Sequence, residues 1–197
     1  MIDSGSIYSL ELNASFVKQH DLAHRYPTSL HGYAGEGWGG PQTGLYTRVG
    51  KLELGTLSVK RPVTVLLESS QGPTSQLAGT IGLRILNSFV ATFDGPEGKL
   101  YLEKSPLYQE PEIFNRAGLI VDPNPDNARI RLVFPGSPAA DAGLMADDVI
   151  TEIDGRPPTD ESLVSAFARP VGTHLSLTVR RSGMPLRTVS INLRDVL

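Results

Sequence analysis

Three residues near the start of the chain put a carboxylate, a hydroxyl and a glycine in immediate succession: Asp3-Ser4-Gly5, inside the run Ile2-Asp3-Ser4-Gly5-Ser6. The glycine permits a sharp turn at the end of a strand. The Ser4 hydroxyl stands where it can hydrogen-bond within the loop and hold the carboxylate in place. Two such carboxylates brought face to face cannot both ionise, so they share a proton; one then activates water as general base and the other protonates a scissile carbonyl. The same triplet is also a common turn, and the residues alone leave both readings open. His20-Asp21-Leu22-Ala23-His24 has the i, i+4 spacing that sets two imidazoles on one helix face for a metal, but Asp stands where a general-base Glu belongs and no third ligand is identifiable. These histidines read as solvated or capping groups, and no metal is expected. No G-x-S-x-G nucleophile loop occurs, and the chain has no cysteine, which excludes a thiol nucleophile and a Cys-ligated zinc site.

The elements that must position Asp3 are mostly strands. Apolar residues alternate across Val49–Val65, with a break at Gly55-Thr56. Phe89–Phe93 and Leu100–Leu102 form a hairpin across Asp94-Gly95-Pro96-Glu97-Gly98. Asn13–His20 and Ile81–Leu86 are short helical candidates, the second entered through Gly82. Gly32–Gly44, with six glycines interleaved with Tyr33, Trp38 and Pro41, reads as a mobile loop or hairpin tip. The pattern lapses at 105–115, where Pro106 and Pro111 mark a linker. Beyond it come strands at Leu119–Val121, Arg129–Phe134 and Val149–Ile153, and a helical turn at Ala139–Ala142 ending at Gly143. An amphipathic helix at Asp160–Ala168 presents Leu163, Val164 and Phe167 on its buried face. A hairpin of Leu175–Arg180 with Thr188–Leu193 closes the chain. Arg84 and the pair Arg180-Arg181 read as isolated exposed charges.

Around the first constellation, Ile2-Asp3-Ser4-Gly5-Ser6, Gly37-Trp38-Gly39-Gly40-Pro41, Gly79-Thr80-Ile81-Gly82-Leu83 and Phe93–Glu103 together resemble the retropepsin-like aspartyl proteases, in particular a bacterial group that carries a PDZ domain. The resemblance covers most of residues 1–104. It implies a single β-barrel lobe in which Asp3 is catalytic, Ser4 and Gly5 hold its loop, and Gly37, Trp38, Gly39 and Gly40 form a flap over the substrate. Only one D-[ST]-G triplet is present, since Asp94-Gly95 and Asp154-Gly155 read as turns. The dyad is therefore expected across a homodimer. The family has a strand pair ahead of its catalytic Asp, which is expected to be missing here.

Arg116–Val121, Val133–Leu144 and Asp147–Gly155 resemble a PDZ domain of the circularly permuted bacterial type, similar to those that follow the HtrA-like periplasmic serine proteases. That resemblance spans 116–197. It implies β-augmentation, in which a peptide adds as a strand beside Leu119–Val121 and N–H groups near Gly118, Leu119 and Ile120 take its terminal carboxylate. Leu163, Val164 and Phe167 would line the pocket, or simply pack the core.

With 197 residues and a net charge of −3, the chain is long enough for two small domains and lacks the basic surplus of a nucleic-acid binder. It contains no run of apolar residues long enough to span a bilayer as a helix. The expectation is a mostly β chain of two domains: a retropepsin-like lobe (1–104), a linker (105–115) and a PDZ domain (116–197). Its expected function is an aspartic-type endopeptidase without cofactor, recruiting protein or peptide substrates; the alternative is a peptide-binding scaffold with an inactive protease-like lobe. An exported, periplasmic location follows from family likeness alone.

Overall fold

Pairing of sequence-distant apolar runs organises the first part of the molecule. The computed structural model describes residues 1–27, 29–37, 39–122 and 128–197. The chain divides into two compact units, Met1–Glu112 and Ile113–Val196. In the first, the elements are β1 (Leu10–Leu12), α1 (Ala14–Gln19), α2 (Leu22–Arg25), β2 (Leu30–Gly37), β3 (Gly40–Arg48), β4 (Lys51–Leu54), β5 (Leu57–Lys60), β6 (Val63–Leu67), β7 (Gly79–Ile81), α3 (Leu83–Leu86), β8 (Phe89–Asp94) and β9 (Lys99–Lys104). One sheet runs β2-β3-β6-β1-β7, while β4-β5 and β8-β9 are separate hairpins. Every residue of β6 is buried, the burial expected of an unbroken apolar strand in the middle of a sheet. It pairs antiparallel with β3 and parallel with β1 (Leu10 beside Thr64), and β1 in turn pairs antiparallel with β7 (Leu10 beside Ile81). Leu10, Ile85 and Phe89 form an apolar cluster, with Leu52, Leu54, Leu57 and Val59 of the β4-β5 hairpin packed against it.

The structure bears on three expectations for this unit. The strands form an open sheet with two hairpins rather than the closed barrel implied by the retropepsin-like resemblance. The glycine-rich stretch contributes to an antiparallel pair, β2 with β3, whose register shifts between Tyr33 and Glu36 and in which Ala34 and Tyr46 are buried. Glycines carry no side chain to declare a pleat, so the alternation was invisible. Finally, Ser105–Glu112 is fastened to the first unit. The Tyr108 ring packs against Phe89 with centroids 5.6 Å apart and planes tilted by 52°, and its hydroxyl donates to the Ser58 carbonyl at 3.1 Å. The Glu112 carboxylate accepts from Ser9 Oγ at 2.6 Å and from the Val63 N–H at 2.9 Å.

The second unit contains β10 (Leu119–Val121), β11 (Ala128–Val133), α4 (Pro138–Asp141), β12 (Val149–Ile153), α5 (Asp160–Phe167), β13 (His174–Arg180) and β14 (Arg187–Asn192). Its antiparallel sheet follows chain order from β10 to β14, so β10 and β14 are the edges. Two caps start its helices. Ser137 Oγ accepts the Ala140 N–H ahead of α4, with Pro138 in the first turn. Thr159 and Ser162 form a reciprocal capping box on α5. The core draws on Leu119, Ile130, Ile150, Leu163, Phe167, Leu175, Leu177, Val179 and Ile191.

Candidate functional site

The site begins at the edge strand β10 and the loop that leads into it. Leu119 faces Val133 and Ile120 faces Leu132 across the β10-β11 ladder. Phe134 donates its N–H to the Gly118 carbonyl at 2.9 Å, which makes Gly118 and Phe134 a hydrogen-bonded pair. Antiparallel pairing alternates, so the Leu119 N–H and carbonyl point away from β11, toward the open edge. The Leu119 side chain is buried in the core while Ile120 is half-buried. Gly118 sits at φ +70°, and a Cβ there would overlap Ser137, so only glycine fits.

Helix α5 is tied to the same loop. The Arg116 N–H donates to the Phe167 carbonyl at 2.9 Å. The Arg116 guanidinium reaches the Ala168 and Arg169 carbonyls at 3.1 and 2.9 Å and donates through Nε to Asp195 at 2.8 Å. This satisfies carbonyls that the end of a helix leaves unpaired and places positive charge where the helix dipole favours it. On α5, Leu163 and Phe167 are core residues, packed in the cluster that holds Leu119. Val164, expected on the buried face, is 65% exposed. The apolar stripe runs through 163, 166 and 167 instead, because Ala166 is the residue that completes the inward face.

In the first unit, Asp3 Oδ1 accepts the Gly5 N–H at 2.8 Å, closing a tight turn on itself. Ser4 and Gly5 are exposed and Asp3 is half-buried. The segment is held by backbone bonds to β7, including Asp3 N–H to the Ile81 carbonyl at 3.0 Å and Ile81 N–H to the Met1 carbonyl at 2.9 Å. Nearby, Ser6 Oγ donates to Glu11 at 3.0 Å. Burial raises the Glu11 carboxyl above its ordinary range, the Ser6 bond lowers it, and repulsion from Asp3 raises it further. Burial likewise raises the Tyr8 and Tyr46 phenols. Gly37 and Gly40 pair at the end of β2-β3 and Gly39 is exposed in the turn between them; Trp38 lies outside the described residues.

His20 and His24 do not share a helix. Asp21 adopts a left-handed conformation (φ 52°) between α1 and α2; the His20 ring lies 4.3 Å from Phe16, and His24 pairs with Asp21. Among the described residues no group of three or more His, Cys, Asp or Glu side chains is arranged to hold a metal. Arg181, expected to be an isolated exposed charge, instead clamps the fully buried Asp148, with Nε to Oδ1 at 2.6 Å and Nη2 to Oδ2 at 2.7 Å. The only hint in the sequence is Asp147-Asp148 beside an apolar strand.

A family model described as "PDZ domain" matches residues 129–181. This chain carries a PDZ domain. The family match spans most of the five-stranded sheet and all of α5. A curated relative, the carboxy-terminal-processing protease of Bartonella bacilliformis, is 29% identical over 104 residues, covering 50% of this chain and 24% of the relative. The chain thus spans about a quarter of that relative's length. Among solved structures, the HtrA-type protease AlgW with a decapeptide superposes with TM-score 0.39 at 17% identity, covering 86% of this chain and 61% of that one. An aminopeptidase N family protein from Idiomarina loihiensis gives TM-score 0.38 at 17% identity, covering 65% and 21%. These superpositions are loose, and the PDZ assignment rests on the family match. The aspartic-type endopeptidase expectation is overturned. The curated relative is a carboxy-terminal-processing protease, which points away from aspartic chemistry. The Asp3-Ser4-Gly5 triplet is seen here as a turn closed by its own carboxylate.

Proposed function

We propose that this chain is a peptide-recognition module: its PDZ domain takes an extended protein segment as an added strand along β10, between that strand and α5. The observation that carries this reading is the β10 edge itself, where Leu119 directs its backbone N–H and carbonyl outward beside a helix anchored to the same loop by Arg116. Main-chain hydrogen bonds along such an edge supply affinity, and side chains flanking the groove supply selectivity. The exposed Val164 is the apolar side chain that α5 offers to a ligand. The curated relative is named as a carboxy-terminal-processing protease, which supports ligands drawn from proteins handled by proteolysis. The reading asks nothing catalytic of Asp3, Ser4 or Gly5.

Fluorescence titration of the full chain with a library of labelled ten-residue peptides tests this. Binding is expected to perturb NMR signals of Leu119, Ile120 and Val164. Val164→Asp should weaken it about tenfold, with thermal unfolding unchanged because the side chain is exposed. Peptides that bind without perturbing β10 or α5, or whose affinity is indifferent to Val164→Asp, would refute the reading.

A further inference from the structure

Strand β9 leaves one edge of the β8-β9 hairpin open, and the residues along that edge complement a reversed copy of themselves. Ser105 donates its N–H to the Ser88 carbonyl at 3.1 Å. That bond fixes the alternation of the ladder, so that Val90 with Glu103 and Thr92 with Tyr101 are the hydrogen-bonded pairs. The N–H and carbonyl groups of Leu100, Leu102 and Lys104 therefore point away from β8. Among the described residues no backbone bond reaches them. The ladder runs from Phe89–Lys104 to Asp94–Lys99 without a register shift and β9 contains no proline, so neither a bulge nor a proline blunts the edge. Lys99, Tyr101 and Glu103 share one exposed face, with Tyr101 50% exposed. Leu100 and Leu102 share the other, where Leu102 packs against the cluster of Leu10, Ile85 and Phe89.

We propose that the β9 edge is a self-association surface whose occupant is β9 of a second copy of this chain, added antiparallel about a two-fold axis at Tyr101. Backbone and side chains select the same register. The outward groups belong to even-numbered residues, so hydrogen bonds form only where these face one another, as Leu100 and the partner's Leu102 do. Centring the pair on Tyr101 sets Lys99 opposite the partner's Glu103, and Glu103 opposite the partner's Lys99, at the closer, non-hydrogen-bonded positions. Asp94 lies opposite Lys99 within each hairpin, so charge alternates across the joined sheet from Glu103 to the partner's Lys99 and the partner's Asp94. On the other face Phe93, 62% exposed and opposite Leu100, joins an apolar row that continues into the partner's Leu102. Centring on Leu100 instead brings Glu103 opposite the partner's Glu97, and centring on Leu102 brings Leu100 opposite the partner's Lys104. A parallel copy in register stacks lysine on lysine and glutamate on glutamate, which opposes open-ended stacking. Within its own chain Lys99 pairs with Glu97 at 2.5 Å, both side chains more than half exposed, a weak pair that does not hold Lys99 from a new partner. The contact is isologous, so it closes as a dimer.

Sedimentation equilibrium of the full chain over a concentration series tests this, and a reversible monomer–dimer equilibrium is expected. Lys99→Glu and Glu103→Lys should each weaken the dimer about tenfold, because either one places like charges at both symmetric positions. An equimolar mixture of the two variants should recover the dimer, since each supplies the charge that the other lacks. The chain has no cysteine, so Tyr101→Cys gives a second readout. With added oxidant it should form a disulfide-linked dimer, the facing Cα atoms being about 4.5 Å apart, whereas Thr92→Cys on the same face of β8 should not. An unmodified chain that stays monomeric overturns the proposal, as does a dimer unaffected by both charge reversals or one that mixing fails to restore. If a charge variant loses its native NMR spectrum, the cysteine variants decide. Crosslinking of Thr92→Cys as fast as that of Tyr101→Cys then overturns the proposal. Peptide binding along β10 is read by its own titration and does not depend on these outcomes.

Discussion

Asp148 has no solvent exposure, yet it stays ionised because its neighbours replace water. Burial alone would raise its pKa; the Arg181 clamp, the Met145 N–H at 3.1 Å and Arg187 more than offset this and leave it below the usual carboxylate range. Asp148→Asn leaves Arg181 without its counter-charge and should cost about 3 kcal/mol, measured by denaturant unfolding followed through NMR signals of β12 and β13. A folded-state pKa held low contributes stability that is complete above the unfolded value near 4 and fades as pH falls through the folded one. The unmodified domain should therefore lose stability in acid below about pH 4, and Asp148→Asn should lose that component of the slope. Glu11 works in the opposite sense. Its raised pKa means that burial favours the protonated form, so its contribution is most favourable below the unfolded value and diminishes as pH rises through the folded one. Glu11→Gln, which can still accept from Ser6, should stabilise the first unit at pH 7 and flatten its pH dependence above the unfolded value near 4. A destabilised Glu11→Gln at neutral pH would show that the carboxylate is needed there.

At the scale of elements, legibility followed side-chain pattern. The β4-β5 and β8-β9 hairpins were readable because Gly55-Thr56 and Asp94–Gly98 punctuate alternating apolar runs. The glycine-rich β2-β3 pair was not, since glycines leave no pattern. Helix α5 was readable as amphipathic, but its exact face was not: Leu163, Val164 and Phe167 fit one stripe until Ala166 takes the inward position. The turn in which Asn115 Oδ1 accepts the Ala117 and Gly118 N–H groups left no sequence signal, because a side chain bonding to its own backbone has no periodicity. Thr159→Ala removes half of the capping box and should cost about 1 kcal/mol, visible as earlier loss of α5 signals on heating. Gly79→Ala is a harsher test, because the new Cβ would collide with the Glu11 carbonyl where β7 crosses β1. We expect the first unit to lose its native spectrum while β10–β14 keep theirs.

For the molecule as a whole, the PDZ portion was visible in the sequence because Gly118, the Ser137-Pro138 cap and the Asp154-Gly155 turn are local signals strung along it. The first unit resisted because its defining contacts join residues far apart. All residues of the second core cluster fall between Ala117 and Leu193. A fragment of residues 113–196 should accordingly fold alone and reproduce the NMR shifts it shows in the full chain; a spectrum collapsed toward random-coil values would contradict this. The order β2-β3-β6-β1-β7 has a further consequence, one of timing. Strand β1 is synthesised before β6 and β7, which flank it, so its partners at Thr64 and Ile81 leave the ribosome long after it does. Until then β1 is an unpaired apolar segment with no sheet to join, and long-range closures of this kind are slow. A nascent chain arrested with residues 1–60 exposed, before β6 emerges, should remain unfolded and recruit holding chaperones, whereas one arrested beyond Glu112 should close its first sheet.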